Sequence, residues 1–299
     1  MKIIDFINMQ YGMEVVSVEV LRDWIGKVFL VVTKEKKYIY KQFREKNNPY
    51  AIQSTWVQEQ LMENKIPVPM IIPTVENQLY SIYENCVCIL YAFVNGSELE
   101  RGERLAELGN LCGKMRKCME RSRNTLAIHG REFFVDRYLK IIQKKKFGDE
   151  LRFRQIADTL LRYLKDIPTG FIHGDFHAGN IFVKKDTLLV YDFDACANAY
   201  PVYDIATICD GTDYFSLDEC NFTQGKTVTL NRMKTFLTGY EQYYTVSEAE
   251  QLAVLACIGI RHYDIQATII ETLGIDCIDQ AFLSQQLQWL DHWCAVCKL

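Results

Sequence analysis

The chain has 299 residues, of which 49% are hydrophobic and 24% charged, and carries a formal net charge of -4. That length suits one or two domains with a substantial core, and the acidic balance offers no general attraction to nucleic acid or to an anionic membrane. No apolar run approaches the length of a membrane span and Met1–Asp5 lacks the pattern of a signal peptide, so the expected location is the cytoplasm. The 11 cysteines are scattered among apolar neighbours and read as reduced, mostly buried thiols. Cys86-Val-Cys88 has only one intervening residue and Cys294-Ala-Val-Cys297 sits in a helical terminus, so neither reads as a zinc site.

In chain order, Glu14–Arg22 alternates apolar and polar residues, Lys27–Thr33 is rich in β-branched residues, and Lys37–Phe43 alternates again. These read as three strands, with Asp23-Trp-Ile-Gly26 joining the first two. Ala51–Asn64 has helical spacing and ends before Ile66-Pro-Val-Pro69. Gln78–Tyr83 and Val87–Phe93 read as two further strands, and Asn95-Gly96 as a boundary. Beyond it the pattern turns helical over 105–119, 133–145 and 153–164, and later over 230–243, 247–272 and 279–297. Ser247-Glu-Ala-Glu250 has the spacing of a capping box. Lys144-Lys-Lys146 reads as a solvated helix end.

Phe171-Ile-His-Gly-Asp-Phe-His-Ala-Gly-Asn180 interrupts that helical run. An apolar lead-in delivers a cluster of polar groups, and two apolar runs, Ile181–Val183 and Leu188–Tyr191, then pair as a hairpin across Lys184-Lys-Asp-Thr187. The hairpin predicts that Asp175, Asn180 and Asp192 share a small volume. The step from Asp175 to Asn180 is that of the kinase catalytic loop H-R-D-x-x-x-x-N, and Asp192-Phe193 begins a D-F-G-like element.

His173-Gly-Asp-Phe-His-Ala-Gly-Asn180, Asp192-Phe193 and Pro201-Val-Tyr-Asp-Ile-Ala206, in this order, resemble the signature of the aminoglycoside phosphotransferase and choline kinase superfamily. The resemblance implies an α+β, protein-kinase-like, two-lobed fold. Residues 1–94 would form an N-terminal nucleotide-binding lobe with a five-stranded antiparallel sheet and one helix, and residues 95–299 a mainly helical catalytic and substrate-binding lobe. It also implies an ATP- and Mg-dependent small-molecule kinase that passes the γ-phosphate to a hydroxyl. In this scheme Asp175 is the catalytic base that aligns the acceptor hydroxyl, and Asn180 and Asp192 are the magnesium ligands. His173 and His177 orient the loop, and Asp204, which begins a later helix, braces it. Tyr38-Ile-Tyr-Lys41 resembles the strand whose lysine contacts the α- and β-phosphates. Ile89–Val94 resembles the interlobe hinge, with the backbone at Ala92 and Val94 bonding adenine and Tyr91 behind the base. Asp194 is a possible second metal-facing group or a turn residue, and stays outside the ligand set.

The chain departs from protein kinases in three ways. The first hairpin carries only Gly26 in place of a glycine-rich loop, glycine replaces the arginine of H-R-D, and no A-P-E follows. The helix glutamate expected to pair with Lys41 falls near Thr55, with Glu59 one turn further along as a substitute. This keeps open a catalytically weak or inactive kinase-fold binding protein, a pseudokinase, as the alternative function. A two-metal phosphoesterase built on His173-x-Asp-x-His177 needs more histidines than the five present. On the acceptor side, Asp210-Gly-Thr-Asp213, Asp218, Glu219, Arg261, His262 and Asp264 are candidates. If these acids line the pocket, a cationic acceptor such as an amino alcohol, choline-like amine or aminoglycoside follows. If they form a solvated loop, homoserine, a sugar or another neutral alcohol stays open. The expected partners are a nucleotide and a small hydroxyl compound, with neither nucleic acid nor membrane, and the sequence fixes no oligomeric state.

Overall fold

Side-chain parity on the strands decides which residues face one helix and which face another. The computed structural model of the chain describes residues 1–122, 125–212, 217 and 221–299. They divide into two compact units, Met1–Leu99 with Gly179–Cys196, and Glu100–Ala178 with Ala197–Leu299.

In the first unit, β1 (Val15–Asp23), β2 (Lys27–Thr33), β3 (Lys37–Gln42), β4 (Ser81–Tyr83) and β5 (Cys86–Ala92) form an antiparallel sheet in the order β1-β2-β3-β5-β4. Residues on one face, Phe29, Val31, Tyr40, Cys88 and Leu90, pack against Phe6, Ile7 and Tyr11. Those three lie on α1 (Ile3–Tyr11), a helix beyond the one expected from the sequence, which ends at Gly12 with φ of 61°. The opposite face packs Val87 and Ile89 against Ala51 of α2 (Asn48–Glu63). Alternation along β3 therefore sends Tyr38 and Tyr40 to the α1 side and Lys41 to the α2 side. A smaller sheet in this unit joins β6 (Ser97–Glu98), β8 (Ile181–Lys184) and β9 (Thr187–Val190) in the order β6-β8-β9.

The second unit is mainly helical, with α3 (Leu105–Met119), α4 (Arg137–Lys144), α5 (Glu150–Arg162), α6 (Val202–Cys209), α7 (Phe222–Tyr240), α8 (Glu248–Leu273) and α9 (Gln280–Cys297). Its one described strand pair is β7 (Gly170–Ile172) with β10 (Ala197–Ala199), antiparallel. A π-helical turn over Glu132–Asp136 leads into α4. The capping box at Ser247 forms, with Ser247 Oγ accepting from Glu250 N and the Glu250 carboxylate accepting from Ser247 N. Helix α8 is buried along most of its length, and α4, α5 and α6 pack around it. Helix α7 begins at Phe222, earlier than the apolar periodicity indicated, because Asn221 caps it by accepting from Gln224 N. Among the described residues no helix is long and apolar enough to cross a membrane.

Helices α3 and α7 meet backbone to backbone at two glycines. A Cβ on Gly109 would collide with the Phe236 carbonyl oxygen, and one on Gly239 with the Ala106 carbonyl oxygen. Glycine inside a helix ordinarily costs about 1 kcal/mol relative to alanine, so the close approach must outweigh that. Gly109→Ala and Gly239→Ala are each expected to destabilise the fold by about 1–3 kcal/mol, as overpacking does, measured as a lowered urea midpoint. An unchanged or raised midpoint would contradict the packing described.

Candidate active site

Lys41 is the centre of the first unit's chemistry. Its side chain is 11% exposed, and its Nζ lies 2.7 Å from Asp192 Oδ1 and 2.6 Å from Asp194 Oδ2. Burial opposes the charge on this ammonium, but the two carboxylates prevail and raise its pKa. The same contact splits the acids. Burial raises Asp192, yet Lys41 and Arg22 outweigh it and hold the carboxyl below its usual range. Burial and then the charge of Asp192 push Asp194 up to about 7. Glu59, the substitute partner expected from the helix, is exposed. Lys41 finds its partners in the D-F-D turn instead, because its parity on β3 aims it there. Asp194, left out of the expected ligand set, thus belongs to the site. Its signal in the sequence was a second acid two residues after Asp192. Behind Lys41, Gln58 Nε2 donates to Tyr91 Oη at 3.4 Å.

The β8–β9 hairpin sets Asn180 and Asp192 near each other. Its two-residue turn, Lys185-Asp186, has φ of 46° and 62°, the conformation whose twist matches the flanking strands. Ile181 pairs with Val190, and beyond that pair Tyr191 N donates to the Asn180 carbonyl at 3.1 Å. Asn180 and Asp192 therefore sit at the open end of one hairpin. Asp192 itself has φ of 67°, a left-handed conformation that aspartate tolerates better than most residues. Carboxylate and amide oxygens, the donor types these two residues carry, suit a hard divalent cation. Among the described residues no group of three or more His, Cys, Asp or Glu is placed to hold a metal ion, so phosphate and water oxygens would have to complete the coordination.

At the hinge-like segment, the Ala92 N–H is already committed, donating to the Met70 carbonyl at 2.9 Å. Any adenine contact at Ala92 must therefore use its carbonyl. No hydrogen bond engages the Val94 N–H among the described residues.

In the second unit, β7 delivers His173, Gly174 and Asp175. Asp204, in the first turn of α6, holds this loop with both oxygens. Oδ2 accepts from His173 N at 2.6 Å and Oδ1 from Gly174 N at 2.9 Å. Gly174 has φ of 83°, a conformation that costs glycine nothing and most side chains dearly. Burial pushes the Asp204 carboxyl up to about 7, against the lowering effect of the two N–H donors. His173 is fully buried, and its Nδ1 accepts from Asp175 N at 3.3 Å. Asp175 is 47% exposed, and its Oδ2 lies 3.3 Å from His177 Nε2. Burial raises Asp175, but His177, Arg261 and His173 prevail and keep it below the usual carboxylate range. It stays ionised at neutral pH.

The acceptor-side candidates fare differently. Asp213, Asp218 and Glu219 lie outside the described residues. Asp210 is buried, not solvated: its Oδ1 accepts from Thr212 N and Oγ1 at 2.8 and 2.7 Å. Asp264 is held by Arg137 Nη2 at 2.5 Å and Tyr203 Oη at 2.6 Å. His262 stacks on Trp289 with centroids 3.5 Å apart, and burial lowers its pKa to about 3. Arg261 is buried on the same helix and lowers both Asp175 and Asp210.

The order of strands, the lysine on β3 and the H-G-D loop before a D-F-D turn together define a protein-kinase-like α+β protein. Residues 17–244 match the phosphotransferase enzyme family. The chain belongs to that family. It is 26% identical over 222 residues to a homoserine kinase of Agrobacterium fabrum, covering 71% of this chain and 65% of that protein. It is 25% identical to a homoserine kinase of Rhizobium meliloti, covering 76% of this chain and 71% of that protein. The chain thus spans just under two thirds of the Agrobacterium protein and 30% of a third homoserine kinase, from Phenylobacterium zucineum. Among solved structures, the amicoumacin kinase hAmiN, in complex with AMP-PNP, Ca2+ and Ami, aligns with a TM-score of 0.76 at 16% identity over 97% of this chain and 91% of that one. A microcompartment-associated aminopropanol kinase aligns with a TM-score of 0.74 at 15% identity over 98% and 95%. These two share the fold.

The raised Asp194 carboxyl has a measurable consequence. Its contribution to stability is full below the unfolded value of 3.8 and is lost as pH rises through about 7. Asp194→Asn removes that loss while leaving the Lys41–Asp192 pair in place. The stability of the variant relative to the native chain should therefore rise as pH increases from about 4 to about 8, followed by chemical denaturation. A pH-independent difference would show that Asp194 is ionised throughout.

Proposed function

We propose that this chain is an ATP- and magnesium-dependent kinase that transfers the γ-phosphate to a hydroxyl of a small molecule. Residues 1–94 hold the nucleotide and residues 95–299 supply the catalytic loop and acceptor site. The observation that carries this reading is the Lys41–Asp192–Asp194 cluster. A buried ammonium shared by two acids is matched to phosphate, which takes its place among the lysine's partners when nucleotide arrives. Lys41 then contacts the phosphates, the Ala92 carbonyl and Val94 N–H meet adenine, and Asn180 and Asp192 hold magnesium. The bound ion supplies charge neutralisation of the phosphates. Asp175 accepts the proton of the acceptor hydroxyl. The hydroxyl oxygen forms a bond to the γ-phosphorus, the bond to the β-bridging oxygen breaks, and ADP leaves. His173, His177 and Asp204 keep the Asp175 loop in one conformation.

The acceptor is proposed to be a small alcohol that also bears an amine. This rests on relatives named for homoserine and on fold neighbours named for aminopropanol and amicoumacin. Homoserine, whose hydroxyl ends a short amino-acid side chain, is the first compound to assay.

ADP production should be followed with homoserine, amino alcohols, choline, sugars and aminoglycosides as acceptors. One or more hydroxyl amines should be turned over. Asp175→Ala should lower kcat by about 10²–10⁴-fold with little change in nucleotide affinity. Asp192→Ala should weaken Mg-nucleotide binding about tenfold or more. Near-native turnover by Asp175→Ala would remove the base from this assignment. Tight nucleotide binding with no turnover of any acceptor would favour the pseudokinase instead.

A further inference from the structure

The first hairpin carries a second cation on the phosphate side of the sheet. Along β1, Val18 pairs with Val31 and Val20 with Phe29, which places both valines on the α1 face. Strict alternation would put residue 22 there too. The register instead steps from Val20↔Phe29 to Arg22↔Val28, two residues of β1 against one of β2. Leu21 is the extra residue of a β-bulge, and a bulge re-aims the side chains that follow it. Val28 pairs in turn with Lys41 on β3. Arg22, Val28 and Lys41 thus form one cross-strand row on the face opposite α1, since directly paired residues share a face.

The two cations of this row converge on one acid. Lys41 Nζ is 2.7 Å from Asp192 Oδ1, and Arg22 Nη2 is 3.9 Å from Asp192 Oδ2. The other cations near the hairpin tip are already matched, Arg44 at 2.8 Å and Lys27 at 3.6 Å from Asp23. Arg22 differs from both. Among the described residues its one ion pair is the long contact with Asp192, and its side chain is 54% exposed. A guanidinium held loosely beside the acid that also pairs with Lys41, with its fork accessible, is placed to accept a phosphate group.

We propose that Arg22 is a nucleotide-phosphate-binding residue, set on the correct face by the bulge at Leu21, and that it does from a side chain what backbone amides of a glycine-rich loop do elsewhere. The proposal rests on the kinase reading above, because it needs a nucleotide at Lys41. Arg22 leaves Asp192 and donates to a phosphate oxygen of the bound nucleoside triphosphate, so the row Arg22–Val28–Lys41 brackets the phosphate tail with two positive charges.

Calorimetric titration of the full chain with ATP and with adenosine, each at low and high salt, tests this. Arg22→Ala should bind ATP about tenfold or more weakly, the loss of a charge-assisted hydrogen bond, and adenosine as the native chain does. Arg22→Lys should recover part of the ATP affinity. The ATP deficit should shrink at high salt, where the native contact is screened. Lys34→Ala, an exposed cation paired with Glu14 at the β2–β3 turn, should bind both ligands normally. Native-like ATP affinity in Arg22→Ala, or an equal loss for ATP and adenosine, overturns the assignment of Arg22 while leaving the kinase reading intact. A native chain that binds neither ligand overturns both.

Discussion

A buried ammonium must have its charge answered, and in this protein Lys41 organises the first unit around that requirement. Removing one partner of a buried ion pair typically costs about 3–5 kcal/mol, because the other charge is left desolvated. Lys41 therefore ties strand β3 to the turn at Asp192 and Asp194, some 150 residues later in the chain. The geometry follows from ordinary local rules. Alternation along β3 gives Tyr40 to the apolar face and Lys41 to the other, and a two-residue hairpin turn with both φ values positive brings the D-F-D segment back beside Asn180. Holding two acids on one ammonium also forces them apart in acidity, one lowered and one raised. That arrangement makes the charge balance of the cluster sensitive to any further charge beside it.

The second unit solves a different problem, how to fix a loop that carries no regular hydrogen bonding. Here the anchor is a carboxylate. Asp204 offers two oxygens to two successive backbone N–H groups, His173 and Gly174, which satisfies donors that would otherwise be buried and unpaired. Asp175 follows directly and keeps its carboxylate toward solvent, with His177 on one oxygen. An anchored backbone beneath an accessible carboxylate is what the base proposed above would need, since misplacement by an ångström is enough to lose alignment.

The acidic residues of the helical unit show how far burial can alter the meaning of a polar sequence. Asp210 stands in a Gly- and Thr-containing segment that looks solvated, yet Arg101 Nη2 and Arg232 Nη1 both donate to its carbonyl, at 2.7 and 2.5 Å, and its side chain folds onto Thr212. Asp264 looks available on a long helix, but Arg137 and Tyr203 occupy it. Each partner comes from another element, and no local pattern announces it. These two acids are therefore part of the internal electrostatics of the unit, and the expectation of a simple acid-lined pocket needs other residues to support it.

What was legible in the sequence is what local periodicity and short-range chemistry fix. The five strands, the helix before Ile66-Pro67, the helical run from Leu105 and the capping box at Ser247 all follow from patterns a few residues long, and the structure has them. The hairpin after Asn180 was legible for the same reason, because its two strands are close along the chain. Tertiary structure decided the rest. A carboxylate two residues past Asp192, not the helical Glu59, partners Lys41, because partner choice depends on which side chains meet in space. One extra residue in β1 moved Arg22 to the face of Lys41, because a strand's parity is set by its pairing register and an exposed alternating sequence does not reveal where that register slips.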